Sequence, residues 1–203
     1  SAFPIVQRTP SYADLIIGDA LWNARQTALD KKQAGQEKMA ELPVWREGIN
    51  AHLTAAIATG EKSPNGLLMP NQSLLFTGRC HALNNLPKMI HIARELCGGQ
   101  ICVTPDVATF DHPETRQWME KYYSVSDEWV ADDRRKLLAL ARDLLNSDYA
   151  GHRLTFQLFA QAPPFAQAAA VYRTFDWNHS LRFAQRAGGL SDRIWGNNKK
   201  AAE

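Results

Sequence analysis

The stretch Gln72–Leu96, QSLLFTGRCHALNNLPKMIHIAREL, decides the fold class, because it carries a long and regular amphipathic pattern. Its apolar residues recur at intervals of three, four or seven positions, as expected for the buried face of an α-helix. These residues are Leu75, Ala82, Leu86, Met89, Ala93 and Leu96. The pattern predicts a helix over residues 72–96 that is kinked at Pro87 and ended by the adjacent glycines Gly98 and Gly99.

Comparable patterns on both sides of this stretch predict further helices. Ser11-x-x-Asp14, which resembles a capping box, predicts a first helix from about Ser11 to Lys32, and a second follows from about Pro43 to Thr59. Other helices are expected to open at residues 111, 126 and 154, with a break over residues 146–151. Strand signals are few, so the predicted fold class is all-α. We expect a helical bundle over residues 1–160 and, in the same domain, a helical C-terminal extension over residues 161–203.

The composition is that of a soluble globular protein, with 45% hydrophobic and 22% charged residues among 203. A net charge of +2 is too small to indicate nucleic acid as a general partner. No apolar run approaches the roughly 20 residues of a membrane span, and no signal-peptide pattern is present. Three cysteines without disulfide-type spacing favour the reducing cytoplasm. Because the chain starts at Ser1 and not at methionine, we expect a piece of a longer protein.

Metal-binding residue types are present, but their spacing is poor for a metal site. His91 and Glu95 share a helix face, whereas the cysteines and the other histidines match no zinc motif. No strand–nucleophile–helix elbow indicates a Ser–His–Asp or Cys–His catalytic group. The alternating charges over residues 128–136 are typical of a solvated helix face. We therefore expect no metal and assign no catalytic residue.

The region over residues 171–200 is basic and rich in aromatic side chains. It contains six basic residues against two acidic ones. The basic residues are Arg173, Arg182, Arg186, Arg193, Lys199 and Lys200, and the interleaved aromatic residues are Tyr172, Phe175, Trp177, Phe183 and Trp195. Such a pattern can bind nucleic acid, and it is also typical of amphipathic helices that pack on a neighbouring subunit. We favour packing, and hence a homo-oligomer.

The two glycines that end the central helix admit two interpretations. A single glycine is enough for a helix C-cap of the Schellman type. Two adjacent glycines also remove side chains where a flat or phosphorylated ligand can approach the backbone closely. The residues are compatible with either a helix cap or a ligand contact.

Four motifs, in order along the chain, carry a family resemblance. They are SPNGLLMPN (63–71), LPKMIHIARELCGGQICVTP (86–105), FDHPETRQWMEKYY (110–123) and NSDYAG (146–151). Together they resemble the C-terminal helical domain of the 4-hydroxyphenylacetate 3-monooxygenase family, the FAD-dependent two-component aromatic hydroxylases. The resemblance implies a four-helix bundle of the acyl-CoA dehydrogenase C-terminal type and reduced FAD supplied by a separate flavin reductase. It also implies a phenolic substrate similar to 4-hydroxyphenylacetate, and a dimer or tetramer.

The resemblance also implies a cofactor contact at the loop after the central helix. The implied contact residues are Gly98, Gly99, Gln100, Thr104, Asp106 and Arg153. The glycines would let the backbone approach the pyrophosphate of FAD, the polar loop residues would offer hydrogen bonds, and the arginine a charge-assisted contact. The chain departs from the family pattern at His152 and Leu154, where the family usually has Arg and Glu. Catalytic residues would lie mostly in preceding domains, so this chain alone is not expected to be a competent enzyme.

Two other interpretations stay open. The departures at His152 and Leu154 favour a stand-alone helical interaction module without flavin. A related dehydratase or isomerase is the other possibility. Its iron–sulfur ligands would lie upstream, because Cys80, Cys97 and Cys102 lack the spacing of cluster ligands.

Overall fold

Ten α-helices and one small hairpin make up the regular structure that the computed structural model describes over residues 2–160 and 162–190. In chain order the helices are α1 (Phe3–Gln26), α2 (Gln33–Ala58), α3 (Gln72–Cys97), α4 (Gln100–Val103), α5 (Val107–Asp111), α6 (Arg116–Tyr123), α7 (Ala131–Leu145), α8 (Asp148–Phe159), α9 (Pro164–Thr174) and α10 (Trp177–Gly188). A 3-10 turn, Leu29–Lys31, joins α1 to α2, and the antiparallel strands β1 (Glu61–Lys62) and β2 (Leu68–Met69) lie between α2 and α3. The all-α prediction is confirmed. None of the described helices combines the length and apolarity that crossing a membrane requires.

The helix expected over residues 72–96 is α3, at the centre of the molecule. Asn71 caps its start, because the Asn71 side chain accepts a hydrogen bond from the backbone N–H of Leu74 at 3.2 Å. Gly98 follows its last turn with φ 72°, a positive value that favours glycine. The prediction is therefore confirmed to within one residue at the C-terminal end.

The core lies between α1, α2, α3 and α7, which form a four-helix bundle. Its main apolar cluster draws buried residues from all four helices. Among them are Ile16, Ala20, Leu42, Met89, Ala93, Leu138 and Leu145. Burial of each large aliphatic side chain contributes roughly 1.5–3 kcal/mol to folding. Outside the bundle, α8 packs on α7 and α9 packs on α3.

Two helices begin earlier than the sequence indicated. The predicted start at Ser11 is wrong, since α1 begins at Phe3 and continues through Pro10. The predicted start at Pro43 is also wrong, since α2 begins at Gln33. An internal proline removes one helical hydrogen bond. Packing of the flanking turns against the rest of the bundle outweighs that local loss.

The break expected over residues 146–151 is present but shorter, because α7 ends at Leu145 and α8 already begins at Asp148. The Ser147 hydroxyl caps this helix by accepting a hydrogen bond from the backbone N–H of Ala150 at 3.1 Å. Asp148 in the first turn adds a negative charge at the positive end of the helix dipole. The Ser-Asp pair is therefore a helix start and not a loop signal.

Helices α2 and α3 approach each other closely through two glycines, each facing a histidine of the other helix. A Cβ atom on Gly48 would lie 2.5 Å from His81 Nε2, and one on Gly78 would lie 2.7 Å from His52 Cβ. The two histidine rings lie 5.7 Å apart. His81 Nε2 also lies 3.2 Å from the carbonyl oxygen of Trp45, which fixes the ring in this position. Because no larger residue fits at either glycine, the two Gly–His contacts set the spacing of these helices.

Candidate functional site

The turn between α3 and α4 contains both glycines of the predicted cofactor contact. Gly98 has φ 72° and ψ −179°, a combination that is essentially restricted to glycine. Gly99 has φ −66°, which any residue adopts. A Cβ atom on either glycine would meet no other atom within 4 Å. The backbone conformation therefore requires glycine at position 98, whereas neither conformation nor packing within the described chain requires it at position 99.

The polar residues that follow the glycines hold the turn on α7. Gln100 Oε1 accepts a hydrogen bond from Arg134, whose guanidinium also donates to the carbonyl oxygen of Tyr123 at 3.3 Å. The Thr104 hydroxyl donates to the carbonyl oxygen of Gln100 at 2.8 Å, and Thr104 is buried. These hydrogen bonds fix the shape of the turn. A contact of Gln100 or Thr104 with a cofactor stays a prediction.

Asp106 caps the start of α5. Its carboxylate accepts a hydrogen bond from the backbone N–H of Thr109 at 2.7 Å, and this bond lowers the pKa of the carboxyl group. The side chain is exposed and negatively charged at neutral pH. Such a group can accept hydrogen bonds from hydroxyl groups, but it would repel a phosphate.

Arg153 lies apart from the turn. Its guanidinium lies over the ring of Tyr12 on α1, 5.2 Å from the ring centroid, and its buried Nε has no hydrogen-bond partner among the described residues. Asp19 of the same helix contacts the last turn of α3. Tyr12 lies seven residues before Asp19, or about 10 Å along the helix. The structure therefore brings five of the predicted contact residues into one segment and places Arg153 on another part of the surface.

A buried pair under the turn was not found from the sequence. The Cys97 thiol lies 3.8 Å from Asp19 Oδ2, and Asn23 Nδ2 donates to Asp19 Oδ1 at 3.4 Å. Burial raises the pKa of Asp19 to about 7, although the hydrogen bond from Cys97 lowers it, and burial also raises the pKa of the Cys97 thiol. The sequence feature that could have indicated this pair is the carboxyl group of Asp19 on the apolar face of α1, between the buried residues Ile16 and Ala20.

The described histidine, cysteine and carboxylate side chains do not gather into a metal site. Within residues 2–160 and 162–190, no group of three or more His, Cys, Asp or Glu side chains is arranged to hold a metal ion. Cys80, Cys97 and Cys102 are free thiols.

A known family matches nearly the whole chain. The sequence profile described as "4-hydroxyphenylacetate 3-hydroxylase C terminal" matches residues 2–189. The chain belongs to this family. One relative in sequence is an FADH(2)-dependent monooxygenase of Burkholderia cepacia, 26% identical over 191 residues, which is 93% of this chain and 37% of that protein. This 4-hydroxyphenylacetate 3-hydroxylase C-terminal chain thus spans little more than a third of that relative's length.

Two solved structures show the same fold. The oxygenase component of 4-hydroxyphenylacetate 3-monooxygenase, in complex with FAD and 4-hydroxyphenylacetate, matches with a TM-score of 0.84 at 21% identity, over 92% of this chain and 40% of that one. An archaeal 4-hydroxybutyryl-CoA dehydratase from N. maritimus matches with a TM-score of 0.81 at 21% identity, over 92% of this chain and 39% of that one. The predicted bundle of the acyl-CoA dehydrogenase C-terminal type is confirmed.

Proposed function

We propose that this chain is the flavin-site and oligomerisation domain of a reduced-FAD-dependent monooxygenase that hydroxylates a phenolic substrate similar to 4-hydroxyphenylacetate. The observation that carries the proposal is the family match over residues 2–189. Two further facts support it: a relative is named an FADH(2)-dependent monooxygenase, and a structure of the same fold contains FAD and 4-hydroxyphenylacetate.

The glycine turn fits a role as one wall of the flavin site. Gly98 and Gly99 present bare, exposed backbone to open space, and a pyrophosphate can approach such backbone closely. Reduced FAD would supply the electrons for oxygen activation. The polar residues Gln100, Thr104 and Asp106 would orient the cofactor, largely by holding the turn in shape, and Arg153 would contribute a positive charge farther along the bundle.

Several parts of the proposal concern the parent protein. Domains outside this chain would bind the phenol and exclude water from the flavin, because a single helical wall cannot enclose it. A separate reductase would deliver reduced FAD. Residues 1–160 would form the bundle and residues 161–203 the extension that contacts a second subunit. The three free thiols agree with a reducing cytoplasm.

The role of the turn can be tested by titrating FAD and reduced FAD into the intact parent protein. Gly99→Leu adds a side chain at a position where the chain's own conformation tolerates one, so the protein should fold normally. We expect the affinity for flavin to fall about tenfold or more, because the side chain would displace the cofactor from the backbone. Gly18→Leu is the matched control, since its Cβ also meets no other atom within 4 Å. Equal affinity in Gly99→Leu and wild type would refute the contact.

A second candidate function is favoured by the similarity in fold to the dehydratase. The parent protein would then carry an iron–sulfur cluster, with ligands outside this chain. Iron and acid-labile sulfide in the purified parent would support a dehydratase, and their absence together with phenol hydroxylation would support the monooxygenase. A reading frame no longer than this chain would instead support an interaction module without flavin.

A further inference from the structure

A cavity between the last turns of α1 and the start of α7 combines aromatic walls with carboxylates. It has a volume of about 490 Å³ and is lined by Trp22, Glu128, Trp129, Asp133 and Leu137. None of these five residues belongs to the glycine turn or to α8. This set of five residues is named the tryptophan pocket.

The fold holds the aromatic walls of the tryptophan pocket in place. Trp22 and Trp129 meet edge to face, with ring centroids 5.1 Å apart and ring planes at 75°. A tight turn fixes Trp129, because its backbone N–H donates to the carbonyl oxygen of Ser126 at 3.0 Å and its own carbonyl oxygen accepts from the backbone N–H of Val125 at 3.2 Å. The pocket is therefore formed before a ligand arrives, which lowers the entropic cost of binding.

The charge of the tryptophan pocket is negative and largely unpaired. Within residues 2–160 and 162–190, Glu128 forms no ion pair with a cation. Asp133 Oδ1 lies 3.6 Å from Lys136 Nζ, but the same ammonium group lies only 2.6 Å from Asp132 Oδ2 and is engaged mainly there. The pocket therefore repels phosphates, including those of a flavin, and attracts a cation.

A guanidinium group fits this combination of walls and charge. Tryptophan binds cations better than the other aromatic side chains do, and the flat guanidinium of arginine also stacks on its ring. The chain itself provides an example, since the Arg25 guanidinium lies 5.4 Å from the centroid of the Trp22 ring, outside the lining of the pocket. The half-buried Leu137 offers apolar surface to the methylene stem of an arginine.

The exposure of the tryptophan pocket favours a side chain of another polypeptide over a free small cation. Trp22 is 48% exposed and the Asp133 side chain is 62% exposed, so a bound cation keeps part of its contact with water. Exposed cation–π contacts and exposed ion pairs are individually weak, and a free cation would bind only at roughly millimolar concentrations. An arginine on a protein surface gains further affinity from the contacts around it.

We propose that the tryptophan pocket is a docking site for an arginine side chain presented by a partner polypeptide. The two indole rings contact the guanidinium group, and Glu128 and Asp133 accept hydrogen bonds from it. Complementary charge selects this partner, because the pocket offers carboxylates that the described chain leaves largely unpaired. The inference goes beyond the proposed function, since it involves no residue of the glycine turn and holds whether or not that turn contacts a flavin.

The first test is a titration of the 203-residue chain, labelled with fluorotryptophan and followed by fluorine NMR. The probe is the peptide acetyl-Gly-Arg-Gly-amide, and the matched peptide carries citrulline, which has nearly the same shape without the charge. We expect the arginine peptide to shift the signals of Trp22 and Trp129 saturably at roughly millimolar concentrations, and the citrulline peptide to shift neither. Trp118 is the internal control, because it is 46% exposed but already has Lys121 Nζ 5.6 Å from its ring centroid.

The second test removes one carboxylate from the tryptophan pocket. Glu128→Gln should weaken binding of the arginine peptide about fivefold, because the variant loses a charged acceptor for the guanidinium. Asp127→Asn is the matched control, since it removes the same charge from the neighbouring position, outside the lining, and it should change the dissociation constant by less than about twofold. Both side chains are exposed, so folding, monitored by circular dichroism, should not change.

The same measurements can overturn the assigned site. Equal shifts with the citrulline peptide, or no saturable shift up to about 20 mM of the arginine peptide, would refute a cation site. Equal weakening by Glu128→Gln and Asp127→Asn would replace the pocket with a general attraction to an acidic surface. A lysine peptide that binds as tightly as the arginine peptide would refute a site that selects a guanidinium group.

Discussion

Helices α3 and α10 are both amphipathic, yet the chain uses them in opposite ways. Half of the 26 residues of α3 are buried, whereas none of the 12 residues of α10 is. Helix α3 lies among α1, α2 and α7, so its sequence determines how the chain folds. Helix α10 contributes no buried residue to that core. The same sequence pattern is thus buried in the core in one place and exposed on the surface of the described chain in the other.

The largest expected effect is the difference in stability between two variants that carry the same substitution, one in α3 and one in α10. Leu75→Ala in α3 removes a fully buried side chain, and we expect the free energy of unfolding to fall by about 2–5 kcal/mol. Leu181→Ala in α10 removes a side chain that is 45% exposed, and the change should stay within about 0.5 kcal/mol. Urea denaturation at concentrations where the chain is monomeric measures both. Similar losses in the two variants would show that α10 belongs to the core.

A smaller effect, and one that depends on pH, is expected where α1 meets the last turn of α3. The pKa of Asp19 is about 7 in the folded chain against 3.8 for an ordinary aspartate. Between these values the folded state keeps a proton that the unfolded state has lost, so wild-type stability falls as pH rises through this window. Asp19→Asn lacks the ionisable group. Near pH 8 it should be more stable than wild type by about 2–4 kcal/mol.

This advantage of Asp19→Asn should shrink towards zero near pH 3, where the carboxyl group is largely protonated in both states because this pH lies below 3.8. Urea denaturation of both proteins at the two pH values measures the difference. An equal difference at both values would mean that the Asp19 carboxyl group does not titrate as its burial indicates.

The smallest expected effect is the difference in stability between replacing the glycine that ends α3 and replacing the glycine that ends α10. Gly98→Ala forces an alanine to adopt φ 72° and ψ −179°, and we expect a loss of about 1–3 kcal/mol in the free energy of unfolding. Gly189, with φ 60° and ψ 27°, ends α10 in the left-handed helical region. Gly189→Ala should change the free energy of global unfolding by less than about 0.5 kcal/mol, because none of the residues of α10 is buried. Equal losses, seen in thermal or urea denaturation, would contradict the division between the helices.

The fold could be predicted from the sequence wherever local signals agreed with packing. The bounds of α3 follow from a capping Asn71 and from Gly98, both of which act within one turn. The starts of α1 and α2 could not be predicted, because Pro10 and Pro43 are strong local signals that tertiary contacts override. Such contacts between distant segments leave no trace in a pattern of neighbouring residues.

The candidate site shows the same limit. Gly98 and Gly99 are visible as a pair in the sequence, and the structure confirms that they end α3. The partners of the turn are not visible, since Arg134 lies 34 positions from Gln100 and Asp19 lies 78 positions from Cys97. Sequence spacing identifies groups that act along one helix, whereas a buried pair formed across helices emerges only from the fold.

The reciprocal Gly–His contacts between α2 and α3 restrict how the sequence can change during evolution. Because the Cβ of any larger residue at position 48 or 78 would collide with His81 or His52, neither glycine can be replaced while the histidine opposite it stays. A lineage that replaces one of these glycines must first, or soon after, acquire a smaller residue opposite it. Among diverging members of the family, positions 48 and 81, and likewise 52 and 78, should therefore vary together.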